Sequence, residues 1–248
     1  MMEWTDNAIV LSARRHGETS AVVALLTREH GRHAGLVRGA IGRHRGVHES
    51  GNSVRAQWRG RLSEHLGTLT CELTAAVAAQ LIDDRDRLAG LAAACAVADS
   101  ALPDRVPCPQ VYASLGALIT RLLAQEPWTR AYVAWEVKLL AELGFGLDLS
   151  RCAATGSADQ LAYVSPRSGR AVSLSVGEPY RDRLLRLPRF LVTTTAPFTA
   201  SDVFDGLTLT GYFLGRHVYG PYKRPLPPAR FRLVERLGRT PRPHDQEI

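Results

Sequence analysis

The stretch SVRAQWRGRLSEHLGTLTCELTA, residues 53–75, decides the fold of the N-terminal part of this chain. In its first half, Val54, Ala56 and Trp58 alternate with polar or charged residues, and residues 66–75 alternate in the same way. A period of two residues is typical of a strand that is buried on one face only. A glycine-containing segment separates the two halves, so the stretch predicts two antiparallel strands joined by a turn.

Three segments that precede this stretch also have the character of strands. Apolar and β-branched residues dominate residues 8–15, 19–31 and 32–39, and the pair His30–Gly31 predicts a turn between the last two. Five short strands separated by glycine-containing turns are typical of a small antiparallel barrel. We therefore predict a five-stranded OB-like β-barrel that forms one domain over residues 1–78.

The pattern changes after Ala75. Residues 75–103, 107–126 and 127–145 carry apolar residues at helical spacing, which predicts three helices packed on one another. Residues 160–174 instead predict a small hairpin that turns at SPRSGR, and helical spacing resumes at 179–192 and 201–220, where Ser201 is a candidate N-cap. The prediction is an α+β multidomain protein with a helical domain over residues 79–248, a β-hairpin insertion at 146–178 and a frayed tail at 239–248.

Composition restricts the classes of partner. The chain of 248 residues has a formal net charge of +7, and only Lys138 and Lys223 are lysines. The arginine guanidinium pairs with phosphate through two hydrogen bonds, so this charge favours nucleic acid or an anionic surface as partner. The four cysteines form no C-x-x-C, and we find neither a signal peptide nor an apolar run of membrane-spanning length. We expect a protein of the reducing cytoplasm without membrane segments.

Motifs of several enzyme classes are missing. Neither Lys138 nor Lys223 precedes Ser or Thr, which excludes a P-loop, and the sequence contains no G-x-S-x-G and no H-E-x-x-H. The carboxylates of DDRDR, residues 83–87, fit an exposed helix face with ion pairs better than a catalytic cluster. We therefore predict that the chain is not an enzyme and needs no cofactor.

Two histidine pairs have the spacing of metal ligands, His30 with His33 and His44 with His48. Both pairs lie in strongly basic segments, where a bound cation would be repelled. We expect these histidines to be solvated or to face phosphate, and we predict no metal site.

Positive charge is concentrated in two blocks. Eight arginines and two acidic residues lie between Arg28 and Arg61, and seven arginines, one lysine and one acidic residue lie between Gly211 and Arg242. Such blocks are typical of a nucleic-acid footprint, although a solvated surface that binds nothing has the same composition. On an OB-like barrel the strand face and the loops would form the groove, with Trp58 either stacked on a base or, as we favour, in the core.

Four stretches together resemble a known family over essentially the full length. The chain is similar to the bacterial recombination mediator RecO in GLVRGA (35–40), WRGRLSEHLGTLTCEL (58–73), LLAELGFGLDLSRCAATG (139–156) and YVSPRSGRAV (163–172). The resemblance implies an N-terminal OB fold, a helical domain and a small zinc-finger-like insertion, which are the three parts that the residue patterns predict.

The resemblance also implies a non-catalytic role in DNA repair, in the nucleoid-associated cytoplasm. Members bind single- and double-stranded DNA, anneal complementary strands, engage RecR and the acidic C-terminal tail of the single-strand-binding protein, and help to load recombinase in the RecF pathway. DNA binding would fall on arginines of the first basic block, namely Arg38, Arg43, Arg45, Arg55, Arg59 and Arg61, and by position we add Arg14 and Arg32 as candidates that extend the same patch.

One departure from the family concerns zinc. Zinc-bearing members carry C-x-x-C twice around the insertion. Here Cys152 occupies the first cysteine position, but Thr155 stands where the second cysteine would be, and the second pair would fall near Val172 and Ser175. A structural zinc needs four ligands, and one thiolate cannot hold it. We expect an insertion held by packing and hydrogen bonds, without metal.

The site for the acidic tail should combine a basic rim with an apolar groove. Candidates by composition are Arg216, Tyr219, Tyr222, Lys223 and Arg224, although YGPYKRP, residues 219–225, equally fits a plain helix end. A rival interpretation of the whole chain is an OB-fold scaffold that binds a protein partner and not DNA. A metal-dependent nuclease is a poorer alternative, because no carboxylate or histidine cluster supports it.

Overall fold

The computed structural model describes residues 2–41, 45–62, 65–124 and 126–238. The chain divides into two compact units, Met1–Glu126 with Pro227–Arg230, and Pro127–Leu226 with Phe231–Ile248. The tail at 239–248, which the sequence predicts to be frayed, lies outside the described residues. Within those residues, no helix combines the length and the apolar character that crossing a membrane requires.

The first unit begins with five strands: β1 (Met2–His16), β2 (Ser20–Thr27), β3 (Arg32–Val37), β4 (Ser53–Gly60) and β5 (Thr68–Ala75). They form a closed barrel in the order β1-β2-β3-β5-β4. Strands β3 and β5 are parallel and meet at Leu36 and Thr68, and the other neighbouring strands are antiparallel. The predicted OB-like barrel, followed by a helical region, is confirmed.

The interior of the barrel follows the period of two that the sequence predicts. Alternate side chains of all five strands form one apolar cluster, of which Trp58 is the largest member at 1% exposure. The indole Nε1 of Trp58 donates a 3.0 Å hydrogen bond to the carbonyl of Leu66, so its polar atom is satisfied inside the barrel. The preferred assignment of Trp58 to the core is confirmed, and stacking on a nucleobase is excluded in this conformation.

Helix α2 (Arg85–Ala101) packs on the outer side of β1 and β2. Ala24 and Leu26 point away from the barrel interior, yet they are only 5% and 0% exposed because the helix covers them. Gly51 shows how close the approach is, because a Cβ there would lie 2.5 Å from the side chain of Leu91 and its φ is +90°. Only glycine fits this position.

Polar contacts fasten the same helix to the barrel. Asp99 near the end of α2 accepts a 2.8 Å hydrogen bond from Ser12 Oγ and another of 2.8 Å from Arg32 Nε. Arg32 also pairs with Asp104, and its carbonyl accepts a 2.7 Å hydrogen bond from the backbone of Arg105. These contacts connect the beginning of β3 both to α2 and to the segment that follows α2.

The predicted helices at 75–103 and 107–126 correspond to α1 (Val77–Gln80), α2 and α3 (Pro109–Leu123). DDRDR is exposed over residues 83–86 and carries an ion pair, as predicted, and it forms the start of α2, where Asp84 is the N-cap and accepts from the backbone of Asp86 and Arg87. The Arg87 guanidinium pairs with Asp84 at 2.9 Å and donates to the carbonyl of Leu122 at 2.8 Å. The motif therefore begins one helix and caps the end of another.

The second unit is built on α4 (Thr129–Glu142) and α6 (Ala200–Phe213), which pack on each other. Glu136 is fully buried between them and accepts hydrogen bonds from the hydroxyls of Tyr132, at 3.1 Å, and Thr210, at 2.5 Å. A π-helix at Leu214–Tyr219 continues α6, and α7 (Pro228–Gly238) ends the described chain. The predicted helical segments at 127–145 and 201–220 are thus helical.

The insertion contains the predicted hairpin, formed by β6 (Leu161–Val164) and β7 (Ala171–Ser173). The short helix α5 (Leu174–Gly177) follows, and β8 (Leu185–Arg186) pairs with the other side of β6. The predicted helix at 179–192 is wrong, because this pairing leaves only 3₁₀ turns at Glu178–Arg183 and Arg189–Leu191. Strand pairing here outweighs the helical spacing of the apolar residues.

The N-cap of α6 also differs from the prediction of Ser201. Thr199 is the cap, because its hydroxyl accepts from the backbone of Asp202 at 3.3 Å while the Asp202 carboxylate accepts from the backbone of Thr199 at 2.8 Å. These reciprocal bonds form a capping box at the required spacing of three residues.

Candidate nucleic-acid interface

The outer side of β4 and β5 is polar and carries several of the predicted arginines. Strand register places Arg55 opposite Glu72, Gln57 opposite Thr70, and Arg59 opposite Thr68. These six side chains point away from the interior, and all are exposed except Gln57, which is partly buried. Guanidinium, amide and hydroxyl groups on one outer side of the barrel can donate to successive phosphate oxygens.

Two further arginines lie at the margins of this surface. Arg38 follows β3, which runs parallel to β5 from Leu36 and Thr68 onward, and Arg38 and Thr70 line a common cleft of about 220 Å³. Arg61 comes directly after β4, and both arginines are exposed. We call the whole surface the β4–β5 face; its members are Arg38, Arg55, Gln57, Arg59, Arg61, Thr68, Thr70 and Glu72.

Carboxylates partly neutralise the β4–β5 face. Glu3 on β1 stands opposite Arg59, and its Oε1 accepts from Arg59 Nη2 at 2.9 Å and from Gln57 Nε2 at 2.5 Å. The hydrogen bond from Arg59 lowers the pKa of the Glu3 carboxyl below its ordinary value. Glu72 faces Arg55 across the strands. The arginines of this face are therefore not all free charges.

The sequence also predicts Arg14 and Arg32 as DNA contacts, and the structure places both elsewhere. Arg32 is 19% exposed and is ion-paired with Asp99, at 2.6 Å, and with Asp104. Its guanidinium thus connects β3 to α2 and to the segment that follows α2. Arg14 is 80% exposed but lies opposite Val22 on the β1–β2 side, with its guanidinium 3.8 Å from Asp99.

Two more predicted contacts, Arg43 and the side chain of Arg45, lie outside the described part of the chain. OB folds commonly use the face of their second and third strands, but here α2 covers the outer side of β1 and β2. Sequence reasoning missed this because a helical pattern does not tell which surface the helix will cover.

Two of the histidines predicted to be solvated or to face phosphate are instead buried. His33 is 5% exposed and His48 is 6% exposed. His33 packs edge-on against the rings of Trp4 and Trp58 at centroid distances of 5.0 and 4.9 Å. Burial, assisted by the nearby charge of Arg105, lowers the pKa of His33 to about 4, so the ring is neutral at physiological pH.

His30 lies outside this core and stacks on Trp4 at 4.4 Å, while its Nδ1 is 3.2 Å from Asp6. His44 lies outside the described residues. Among the residues that the structure describes, no group of three or more His, Cys, Asp or Glu side chains could hold a metal ion.

The insertion has a hydrogen-bonded thiol where zinc-bearing proteins have their ligands. Cys152 is 1% exposed, and its Sγ accepts from the backbone of Ser173 at 3.3 Å and lies 3.5 Å from the Ser173 hydroxyl. Burial alone would raise the pKa of this thiol, but hydrogen bonds from Ser173 and Thr155 lower it to about 6. Ser173, and not the predicted Val172 or Ser175, faces Cys152. Hydroxyls in place of thiolates do not fit a structural zinc.

The residues predicted for tail binding do not form one surface. Tyr219 is 1% exposed and belongs to the core. Tyr222 is 71% exposed, with the Arg224 guanidinium 5.5 Å from its ring centre, and Lys223 has a left-handed φ of +53°. Arg216 donates to the Tyr212 hydroxyl at 2.9 Å and to the carbonyl of Pro166 at 3.0 Å.

The same unit contains a cavity of about 560 Å³ that sequence reasoning missed. Its wall combines Arg186 and Arg189 with the carboxylates of Asp202 and Asp205 and with apolar side chains that include Leu161, Leu187 and Val192. The arginines and apolar residues come from β6, from β8 and from the turns that replace the predicted helix at 179–192. No spacing in the sequence brings them together, because the pairing of β8 with β6 creates the cavity wall.

Comparison with known proteins agrees with both parts of the fold. Residues 1–77 match the family model for the recombination protein O N terminus, and residues 82–225 match the one for its C terminus. The chain is 57% identical to the DNA repair protein RecO of Rhodospirillum centenum over 242 residues, which cover 96% of each chain. It is 52% identical to the DNA repair protein RecO of Rhodospirillum rubrum over 96% of this chain and 98% of the relative. A third protein of that name, from Phenylobacterium zucineum, is 49% identical over 97% of this chain and its own full length. With an N-terminal OB-like barrel, a helical region and two family models that together span most of its length, the chain belongs to the RecO family of DNA repair proteins.

Proposed function

We propose that the chain is a recombination mediator that binds single- and double-stranded DNA through the β4–β5 face and acts without catalysis. The observation that carries the proposal is the contrast between the two outer sides of the barrel. One side is covered by α2, whereas the β4–β5 face offers exposed Arg38, Arg55, Arg59 and Arg61 beside threonine hydroxyls. Such donors contact phosphates without reading sequence.

Neutralised phosphates would explain how the protein anneals strands. Two single strands repel each other through their backbones, and bound arginines reduce this repulsion while counterions are released. Pairing then needs no nucleotide hydrolysis. The same mechanism would help recombinase to load on DNA coated by the single-strand-binding protein in the RecF pathway, with RecR as a further partner and the nucleoid-associated cytoplasm as the place of action.

For the acidic tail of the single-strand-binding protein we propose the cavity beside Arg186 and Arg189 in preference to the surface around Tyr222. A tail that is acidic and ends in apolar residues needs a cationic rim next to an apolar floor. The cavity offers both, with Leu161, Leu187 and Val192 as apolar walls, but Asp202 and Asp205 also line it, so the tail would have to bind on the side of Arg186 and Arg189. The alternative site consists of Tyr222, Lys223 and Arg224, together with Arg216 earlier in the chain.

The experiment that tests DNA binding replaces Arg38 and Arg61 by Glu. The double variant should bind a labelled oligonucleotide at least about tenfold more weakly at about 50 mM salt, for single strands and duplex alike, because phosphate contacts are lost and repulsion is added. Arg85→Glu is the matched control, since Arg85 is exposed at the start of α2 and away from the β4–β5 face. Equal affinity of the double variant and the control would contradict the proposal.

The rival function, a scaffold that binds a protein through its barrel, draws on the carboxylates Glu3 and Glu72, which compete for the arginines of the β4–β5 face. Fluorescence anisotropy of the unaltered protein separates the two functions. A weak signal that does not respond to salt favours the scaffold, and a strong signal that falls with salt favours DNA binding.

A further inference from the structure

The carboxylate of Glu3 lies among the donors of the β4–β5 face. Its Oε1 accepts hydrogen bonds from Arg59 at 2.9 Å and from Gln57 at 2.5 Å. The register of β1 and β4 fixes this contact, because Glu3 is the cross-strand partner of Arg59. Arg59 also keeps the pKa of Glu3 low, so the carboxylate stays charged at neutral pH.

We propose that Glu3 is a built-in competitor for phosphate, which holds Arg59 in the free protein and gives it up when a nucleic-acid backbone binds. The proposal rests on the proposed function, since it concerns the same face. Carboxylate and phosphate accept from the guanidinium fork in the same way, so one can replace the other.

Exposure makes the exchange easy. The side chains of Arg59 and Glu3 are 58% and 41% exposed, so water and an incoming phosphate reach the ion pair. Ion pairs between such side chains are weak, and the exchange has a small free-energy cost. Gln57 is released together with Arg59, which places an amide donor beside the freed guanidinium.

The competition lowers affinity and speeds release. A protein that brings two strands together must also leave the duplex, and phosphate contacts that compete with an internal carboxylate dissociate readily. Removal of the carboxylate should therefore tighten binding to any sequence, because the contact reads phosphate and not bases.

The test compares Glu3→Gln with the unaltered protein in the binding of a labelled oligothymidylate at about 50 mM salt. We expect binding to tighten about three- to fivefold, the range that an exposed ion pair allows. Asp83→Asn is the matched control, because it removes the same charge from an exposed turn before α2. This control should change affinity by less than about twofold.

A double variant tells whether Glu3 acts through Arg59. Arg59→Gln combined with Glu3→Gln should bind like Arg59→Gln alone, because the competitor has nothing left to hold. Thermal unfolding followed by circular dichroism verifies that every variant is folded.

Two results would overturn the proposal. In one, Glu3→Gln binds like the unaltered protein or like Asp83→Asn. In the other, the double variant binds as tightly as Glu3→Gln alone. If the unaltered protein binds DNA and Glu3→Gln has no effect, this proposal fails while the proposed function stands. If no variant binds at low salt, both fail.

Discussion

The two outer sides of one small barrel use arginine in opposite ways. On the side of the barrel that α2 covers, Arg32 is mostly buried and joined to Asp99 and Asp104. On the β4–β5 face, Arg59 is 58% exposed and is paired with the carboxylate of Glu3. The first arginine stabilises the fold, and the second is available for exchange with a ligand.

This difference teaches that arginine content alone does not define a binding surface. Arg32 and Arg59 belong to the same basic block of the sequence, and they differ in their burial and in the carboxylates with which they pair. A buried guanidinium with two carboxylates cannot be released without leaving charges unpaired in the protein, whereas an exposed pair exchanges at little cost. Substitutions should therefore separate effects on stability from effects on affinity.

The largest expected effect is on stability and comes from Arg32→Ala. Loss of the guanidinium leaves the mostly buried Asp99 without its main partner, so the free energy of unfolding should fall by about 3 kcal/mol. Chemical denaturation measures this change, and affinity for DNA should stay the same once folded protein is counted. Arg28→Ala, at a nearby exposed position, should change stability by less than about 0.5 kcal/mol. A folded Arg32→Ala protein with much weaker DNA binding would remove the distinction between the two sides.

The dependence of the unfolding free energy on pH tests the burial of His33 in the barrel. Because the pKa of His33 falls from its ordinary 6.5 to about 4 in the folded protein, the unfolded chain takes up a proton first as pH falls. Stability should be lost between these two values, by up to about 3 kcal/mol, and should not depend on His33 above the upper one.

The control for this titration is His33→Leu, which fills a similar volume and cannot be protonated. Its unfolding free energy should depend less on pH in the same interval. If both proteins lose stability in parallel between these pH values, the burial of His33 is not the cause.

A smaller effect, on affinity alone, is expected for Arg59→Gln. The variant should bind single-stranded DNA about two- to threefold more weakly at low salt, since it loses one phosphate contact that Glu3 already weakens. Its unfolding free energy should change by less than about 0.5 kcal/mol. Anisotropy and denaturation on the same preparation provide both values, and a large loss of stability would show that Arg59 is structural like Arg32.

The smallest expected effect belongs to the hydroxyls between the arginines. Thr70→Val keeps the shape and the strand propensity of the side chain but removes one donor, so affinity should fall by about twofold at most. Thr19→Val, in the turn between β1 and β2, serves as the control. An effect of Thr70→Val above that of Arg59→Gln would mean that hydroxyls, and not guanidinium groups, dominate the face.

The barrel could be predicted from sequence because its signal is local. Alternation in residues 53–75 determines which side chains point inward, and the structure confirms Trp58 among them. The helical part was equally visible, but the surface that α2 covers depends on contacts such as Gly51 with Leu91, which lie far apart in the chain. Ion pairs are equally hard to predict from sequence, since nothing near Arg32 in the chain indicates that Asp99 is its partner.

The remaining wrong predictions arise where strand pairing or backbone path outweighs the local sequence pattern. The apolar residues of 179–192 are spaced as in a helix, but β8 in this segment pairs with β6 instead. His33 lies in a basic segment of the sequence, yet it is buried because the strand register turns its side chain inward. In the insertion, the resemblance places the second ligand pair near Val172 and Ser175, whereas the backbone brings Ser173 to Cys152. Sequence patterns therefore predict elements well and the partners of individual side chains poorly.

The measurement that tests the central claim most directly is the salt dependence of DNA affinity. The unaltered protein is compared with a variant in which Arg38, Arg55, Arg59 and Arg61 are all Gln. If the β4–β5 face contacts phosphates, the slope of log affinity against log salt for single strands should become shallower by about 3, at roughly 0.7 for each lost contact. Parallel lines for the two proteins would contradict the account.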